Sequence, residues 1–251
     1  MSLNNSEVAE LLAIEAETAK QPLQRALRRA SRRAFLWDEE VSALLSQNRS
    51  LTELAGVGPY ISKLIQGWLD HPPLVAEPPE IRRQFLTWTK AAEILSAKSD
   101  WVEQLKGDLQ MHTEWSDGGD SVEIMANEAE SLGYDFIAIT DHSKGLKIAG
   151  GIDEQQLNQQ GKEISSCNQI LHRNGKRLRV LRSIEVNLSP AGDVDMEPGS
   201  LDDLDLVVGC FHSALRRKDD QTDRYLAALR NPQIQILVHP RGRIYNFRLP
   251  L

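Results

Sequence analysis

A chain of 251 residues that is 41% hydrophobic and 26% charged has the make-up of an ordinary globular protein and can bury one or two cores. Its net charge of −7 argues against a protein that coats nucleic acid by bulk electrostatics, and it holds no apolar run of about 18 residues to cross a membrane. The opening MSLNNSEVAELLAIEAE is acidic where a secretory leader is basic, and the two cysteines, Cys167 and Cys210, lack Cys-x-x-Cys spacing, so the expectation is a cytoplasmic protein with reduced thiols.

The acidity is uneven. Up to Lys106 there are 13 basic against 14 acidic residues, and beyond it 16 against 22. That excess suits either a cation site or a solubilising surface. In the balanced part, Arg25, Arg28, Arg29, Arg32 and Arg33 recur at intervals of three, one, three and one. Such spacing gathers them into one helical stripe, which Lys20 extends by a turn. A stripe of this kind is commonly a solvated face, and Glu39 and Glu40 lie near enough in sequence to neutralise part of it.

Next comes LTELAGVGPYISKLIQGWL, which reads as two amphipathic helices about the turn Gly56-Val57-Gly58. Leu51, Leu54, Val57, Ile61, Leu64, Ile65 and Trp68 recur at helical spacing, and Pro59 suits a first helical position. Amides exposed at such a turn can hold a DNA phosphate without reading sequence, although any short αα-turn can carry Gly-x-Gly. On these residues the stretch resembles a helix-hairpin-helix, and Glu7 to Pro72 resembles the small N-terminal domain of X-family DNA polymerases. The resemblance implies DNA as partner, gripped through its phosphates by Gly56, Val57, Gly58 and the arginines Arg25, Arg28, Arg29, Arg32 and Arg33.

The linker HPPLVAEPPE favours extended backbone, and the following IRRQFLTWTKAAEILSAK reads as helical, with Trp88 and Trp101 as packing residues. The span from His71 to Lys106 has no room for a polymerase core with paired catalytic aspartates, so this is not a polymerase. The expected organisation is an all-α domain over 1–72, a connector over 73–106 and an α/β domain over 107–251.

In that last part five strand candidates, 108–112, 135–140, 179–186, 205–211 and 234–238, alternate with helical segments. Four of the six histidines sit where one of these strands ends: His112, His142, His212 and His239. In parallel α/β folds the strands' carboxyl ends assemble the site. Asp117, Asp141 and Glu185 stand at the same level, and imidazoles with carboxylates suit Zn, Mn or Fe. Any one such histidine is more often structural than a ligand; four at equivalent places point to a metal site. His71 and His172 lack the context and read as surface residues.

GDLQMHTEWSDG, FIAITDHSKGLKIAGG, IEVN, DLVVGCFHSALRR and ILVHPRGR, in this order, resemble the PHP (polymerase and histidinol phosphatase) family, as found at the end of X-family polymerases. The resemblance implies a distorted seven-stranded β/α barrel, two or three metal ions and phosphoester hydrolysis. His112, Asp117, His142, Glu185, His212 and His239 would be ligands, with Glu185 bridging; Glu185, His112 and Asp141 would carry catalysis, Asp141 by orienting His142. Lys144, Arg241 and Arg243 would hold substrate phosphates. The opening His-x-His of the family is here Gln110-Met111-His112, so a weak oxygen ligand replaces one imidazole. The family's closing Asp-x-His has no counterpart before Leu251, and 145 residues are short of the ~250 of a closed β/α barrel, so an incomplete barrel of about five strands with an open edge is expected. The functional expectation is a metal-dependent phosphoesterase acting on DNA ends or abasic sites. Its alternatives are a degenerate PHP fragment that only binds DNA and a small-molecule phosphatase of the histidinol phosphate kind.

Overall fold

The computed structural model describes residues 3–249. Its contacts gather the chain into two compact units, one running to Val102 and including Arg243–Leu249, the other spanning Glu103–Gly242. Among the described residues, no helix is long and apolar enough to cross a membrane.

In the first unit, helix α1 (Asn5–Thr18) starts at a capping box, with Asn4 and Glu7 satisfying each other's backbone amides, and packs against α2 (Leu23–Ala34). Leu27, Ala30 and Ala34 of α2 enter a core with Leu12, Trp37 and Ile65, which leaves all five arginines of the stripe exposed. Glu39 and Glu40 are engaged elsewhere, Glu39 with Arg49 at 2.8 Å and Glu40 with the Asn5 amide at 2.7 Å. After α3 (Val41–Ser46), Asn48 takes a left-handed φ of 56° that stops the helix. The chain then makes only a 3₁₀ turn at Leu51–Glu53, so the expected helix before the glycine turn is corrected to a single turn. Gly56, at φ +86°, seats that turn on α2: an added Cβ would lie 3.4 Å from Arg33 Cγ and 3.6 Å from Ala30 Cα. Helix α4 (Pro59–Asp70) follows, with Ile61 and Ile65 buried and Leu64 and Trp68 packed at the margin.

The segment read as one helix is broken. It forms a 3₁₀ turn at Glu80–Arg82, an extended stretch with Gln84 at φ 56°, α5 (Trp88–Ser96) capped by Thr87, and α6 (Ser99–Gln104). Trp88 and Trp101 are more than half exposed, so the packing role expected for them does not hold. Arg82 is buried instead, bonded to Glu10 at 2.8 Å. Tyr245 packs between Phe35 and Phe85, with centroids 4.6 and 5.3 Å away, and its hydroxyl meets Ser31 Oγ at 3.1 Å. Residues 243–249, grouped by sequence with the α/β part, thus complete the helical core.

The second unit runs β1 (Gly107–Met111), α7 (Val122–Ser131), β2 (Phe136–Ile139), α8 (Glu154–Arg173), β3 (Arg179–Asn187), β4 (Leu206–Cys210), α9 (Thr222–Arg230), β5 (Ile236–Leu237). All five strand candidates are present, parallel and neighbouring in sequence order, the curling wall of an incomplete β/α barrel. Alternation along the strands sorts the side chains. Ile137, Ile139 and Val180 pack on α7 and α8, while Ala138, Leu181, Leu206 and Val208 fill the other side. No helix joins β3 to β4 among the described residues; Gly192 and Gly199 take φ of 85° and 86° there, and Pro190 and Pro198 restrict the chain further. β3 pairs with β2 through Arg179–Arg182 and with β4 through Ser183–Asn187, so its second half crosses the middle of the sheet end.

Candidate metal centre

Glu185 lies in that second half, and its side chain has no exposed surface. β1 carries one more residue than β2 between Asp108 and Met111, a bulge that breaks the alternation. Leu109 still faces the Ala138 side and Met111 the helices, but Gln110 and His112 both reach Glu185: Gln110 Nε2 donates to Oε2 at 2.8 Å, and His112 Nε2 stands 3.3 Å from it. Thr140 clamps the bulge, accepting from the Met111 amide at 2.9 Å and donating to the Met111 carbonyl at 3.0 Å.

Past β2, a parallel bridge sets His142 beside Glu185, with His142 Nδ1 3.4 Å from Oε2. From the other flank His212 Nε2 and His239 Nε2 come within 3.5 and 2.7 Å of Oε1. His239 stands at φ 31°, a left-handed strain that a histidine tolerates only where its surroundings hold it. The rings of His112 and His142 stack at 4.3 Å. Four imidazoles and one amide thus converge on a single carboxylate. Burial alone would raise the pKa of Glu185, but hydrogen bonds from His239, Cys210 and Gln110 and the nearby His142 hold it down at about 2. His142 and His212 are pushed below the ordinary imidazole range by burial, which keeps them neutral with lone pairs to offer.

Whether a metal ion suits this set can be read from its unpaired atoms. Gln110 Oε1, His112 Nδ1 and His142 Nδ1 are buried without a hydrogen-bond partner, a cost that proteins normally avoid. Donor atoms of His112, His142 and Glu185 lie within 4.8 Å of one another, as do those of Glu185, Cys210, His212 and His239. The residues fit divalent cations of the kind that take nitrogen and oxygen donors.

The other expected residues part company. Asp117, about half exposed, offers Oδ1 3.6 Å from His142 Nε2, at the mouth of the cluster. Asp141 does not bond His142. Its buried carboxylate accepts from Thr113 N (2.7 Å), Thr113 Oγ1 (2.6 Å), Ser116 Oγ (2.5 Å) and Gln160 Nε2 (2.6 Å). Its task is to hold the loop between His112 and Asp117, a correction to the orienting and catalytic role read from sequence. Lys144 pairs with Glu154 at 2.6 Å and approaches Glu197 at 3.7 Å. Arg243 stacks on Phe85 at 3.8 Å in the helical unit. Arg241 is exposed two residues beyond His239. His71 and His172 are exposed as expected.

Two residues escaped the sequence reading. Asp195, in the loop between β3 and β4, accepts from Ser143 Oγ (2.7 Å), Gly145 N (2.8 Å) and Asn187 N (3.1 Å), tying the chain after His142 to the end of β3. Cys210, read only as a reduced thiol, places Sγ 3.6 Å from His212 Nε2; its signal was its place two residues before a strand-end histidine, on the same face.

No protein-family model matches the chain. It is 35% identical over 175 residues, 68% of its length, to the DNA polymerase/3'-5' exonuclease PolX of Bacillus subtilis, covering 29% of that protein. It is 26% identical over 145 residues, 55% of either chain, to a probable phosphatase of Thermoanaerobacter. To a probable phosphatase of Acetivibrio thermocellus it is 29% identical over 124 residues, 48% of this chain and 47% of the other. The chain therefore spans between about a third and about half of the curated relatives it matches. It is a homologue of PolX and of these bacterial phosphatases, in keeping with the resemblance of its α/β motifs to the PHP family.

Proposed function

We propose that the α/β unit is a metal-dependent phosphoesterase and that its substrate is DNA, processed at 3′ ends or abasic sites. The observation that carries the first half is the convergence of His112, His142, His212 and His239 on one buried carboxylate. Bound divalent ions, two or three of Zn, Mn or Fe, would supply a hydroxide nucleophile at neutral pH and charge stabilisation for a phosphorane-like transition state. Gln110, His112, Asp117, His142, Glu185, His212 and His239 would hold them. Glu185, kept ionised, supplies the anionic charge at the centre, and the neutral imidazoles supply nitrogen donors. Asp141 and Asp195 fix the loops that carry these groups, and Arg241 at the rim is the cation best placed for substrate phosphate.

DNA is favoured by the helical unit. Five exposed arginines line α2, and Gly56 of the glycine turn packs on that same helix beside Arg33, which favours one surface for their charge and the turn's amides. Gly58, the N-cap of α4, has open space where a side chain would stand, which suits close approach by a phosphate. A small phosphate monoester is the second reading, favoured by the two probable phosphatases that align over about half their lengths.

The test is hydrolysis of 3′-phosphorylated DNA, abasic DNA and histidinol phosphate by metal-loaded protein, beside a Glu185→Ala control and a bound-metal measurement. Metal-dependent cleavage of DNA that the control lacks is expected. Cleavage of the small ester alone would overturn the DNA half, and bound metal without any hydrolysis would overturn the phosphoesterase half.

A further inference from the structure

We infer that Cys210 is itself a metal ligand, and that with Glu185, His212 and His239 it makes a sulfur-containing subsite for a zinc-class cation. The inference rests on the metal-centre reading above and goes past it, because none of the PHP motifs drew attention to this thiol. Cys210 and His212 lie two residues apart at the end of β4, and the carboxylate and both imidazoles present donor atoms within 4.8 Å of Sγ. With metal–sulfur bonds of about 2.3 Å and metal–nitrogen bonds of about 2.05 Å, a tetrahedral site has sulfur–nitrogen edges of roughly 3.5 Å and nitrogen–oxygen edges of roughly 3.3 Å. The corresponding separations here are 3.6 Å from Cys210 Sγ to His212 Nε2 and 3.5 Å from His212 Nε2 to Glu185 Oε1. The His239 to Glu185 contact, at 2.7 Å, is shorter than such an edge, so an entering cation would have to open it, together with the weaker contacts of the Cys210 thiol.

The ordinary use of a buried cysteine is as a small apolar side chain, and Cys167 shows it: that thiol packs with Ile164, Leu171 and Val180. Cys210 is fully buried yet faces a carboxylate and an imidazole, and its other contact is a weak one to the Val186 carbonyl at 3.4 Å. On binding, the S–H bond is exchanged for a metal–sulfur bond and the proton leaves to water. A thiolate is a soft donor, so this side of the centre prefers zinc to manganese or magnesium, while the side made by Gln110, His112, His142 and Asp117 offers only nitrogen and oxygen.

Cobalt(II) reports sulfur ligation directly. The full chain loaded with Co²⁺ should show a near-ultraviolet thiolate-to-cobalt charge-transfer band beside the visible bands of bound cobalt, and zinc-loaded protein should show a sulfur neighbour at about 2.3 Å by X-ray absorption. Cys210→Ser should lose the charge-transfer band and keep the visible bands, and Cys167→Ser should keep both. Cobalt bound by the unaltered chain without a charge-transfer band would overturn the assignment of Cys210 and leave the metal centre standing. Absence of any bound cobalt or zinc would instead overturn the metal-centre reading itself, and this inference with it. The unaltered chain decides the matter even if Cys210→Ser does not fold.

Discussion

Replacing Asp141 by alanine should cost the fold about 4 kcal/mol, and replacing it by asparagine much less. The buried carboxylate accepts four hydrogen bonds at 2.5–2.7 Å. Bonds to a charged group contribute ~1.5–3 kcal/mol each, but adding four such values would overshoot, because members of one network are not independent. The donors differ in what they can do once the carboxylate has gone. The Thr113 and Ser116 hydroxyls can rotate to other acceptors, whereas the Thr113 backbone N–H is fixed and the amide of Gln160, only 1% exposed, keeps a polar atom facing the gap whichever way it is turned. Leaving each of those two unsatisfied costs ~1–3 kcal/mol, which centres the loss near 4 kcal/mol.

Asparagine retains an oxygen for the Thr113 N–H and Ser116, and its amino group can donate to Thr113 Oγ1 and to a turned-over Gln160 amide. Only the charge is lost, at about 1–2 kcal/mol. Urea unfolding of the metal-free chains, monitored in the α/β unit, measures both. Because the network holds the loop between His112 and Asp117, Asp141→Ala should also weaken metal binding by 10-fold or more, as outer contacts of metal sites commonly do at about 10–100-fold. Equal stabilities for the two variants, or a loss below about 1 kcal/mol for alanine, would refute the assignment of these hydrogen bonds.

Glu185 makes the metal-free fold acid-sensitive in a defined direction. Its folded-state pKa of about 2 lies below the ordinary 4.5, so its stabilisation is present above pH 4.5 and is lost as pH falls toward 2; the difference is at most ~3 kcal/mol, and the gap in stability between the parent and Glu185→Gln should shrink over that window in an acid titration followed by circular dichroism. Gly151→Ala should destabilise by ~1–3 kcal/mol, read as a fall in thermal midpoint of several degrees, because its Cβ would stand 1.9 Å from the Ser143 carbonyl oxygen in the loop after His142; an unchanged midpoint would contradict that packing. Arg28→Gln with Arg32→Gln should weaken DNA binding at all sequences alike and lower the slope of log affinity against log salt by about 2, as measured by fluorescence anisotropy; an unaltered slope would take these two arginines out of the DNA surface.

What could be read in the sequence was local. Strand-end histidines stand out because a β-strand is short and apolar and a polar imidazole marks its limit, so His112, His142, His212 and His239 and all five strands were legible one segment at a time. Their meeting depends on things that no segment holds. Whether Gln110 and His112 share the side of Leu109 is decided by one extra residue of β1 against β2, and a strand alternating plainly from Leu109 would have sent both to the helix side. Asp141 sits next to His142 in sequence, which suggested that it orients that ring, yet neighbours along an extended chain point to opposite faces, and its carboxylate serves the β1 loop. The same rule of two, applied backwards from His212, sets Cys210 on the histidine's side of the strand, while the apolar run around it made it look like core. Asp195 and the tail at Tyr245 act across 52 and 214 residues, on Ser143 and Ser31, distances at which only the folded chain brings partners together. The donors are therefore written in the composition of the strand ends, and their register is written in pairings between strands, which is why the centre could be expected from sequence and the roles of its supporting carboxylates could not.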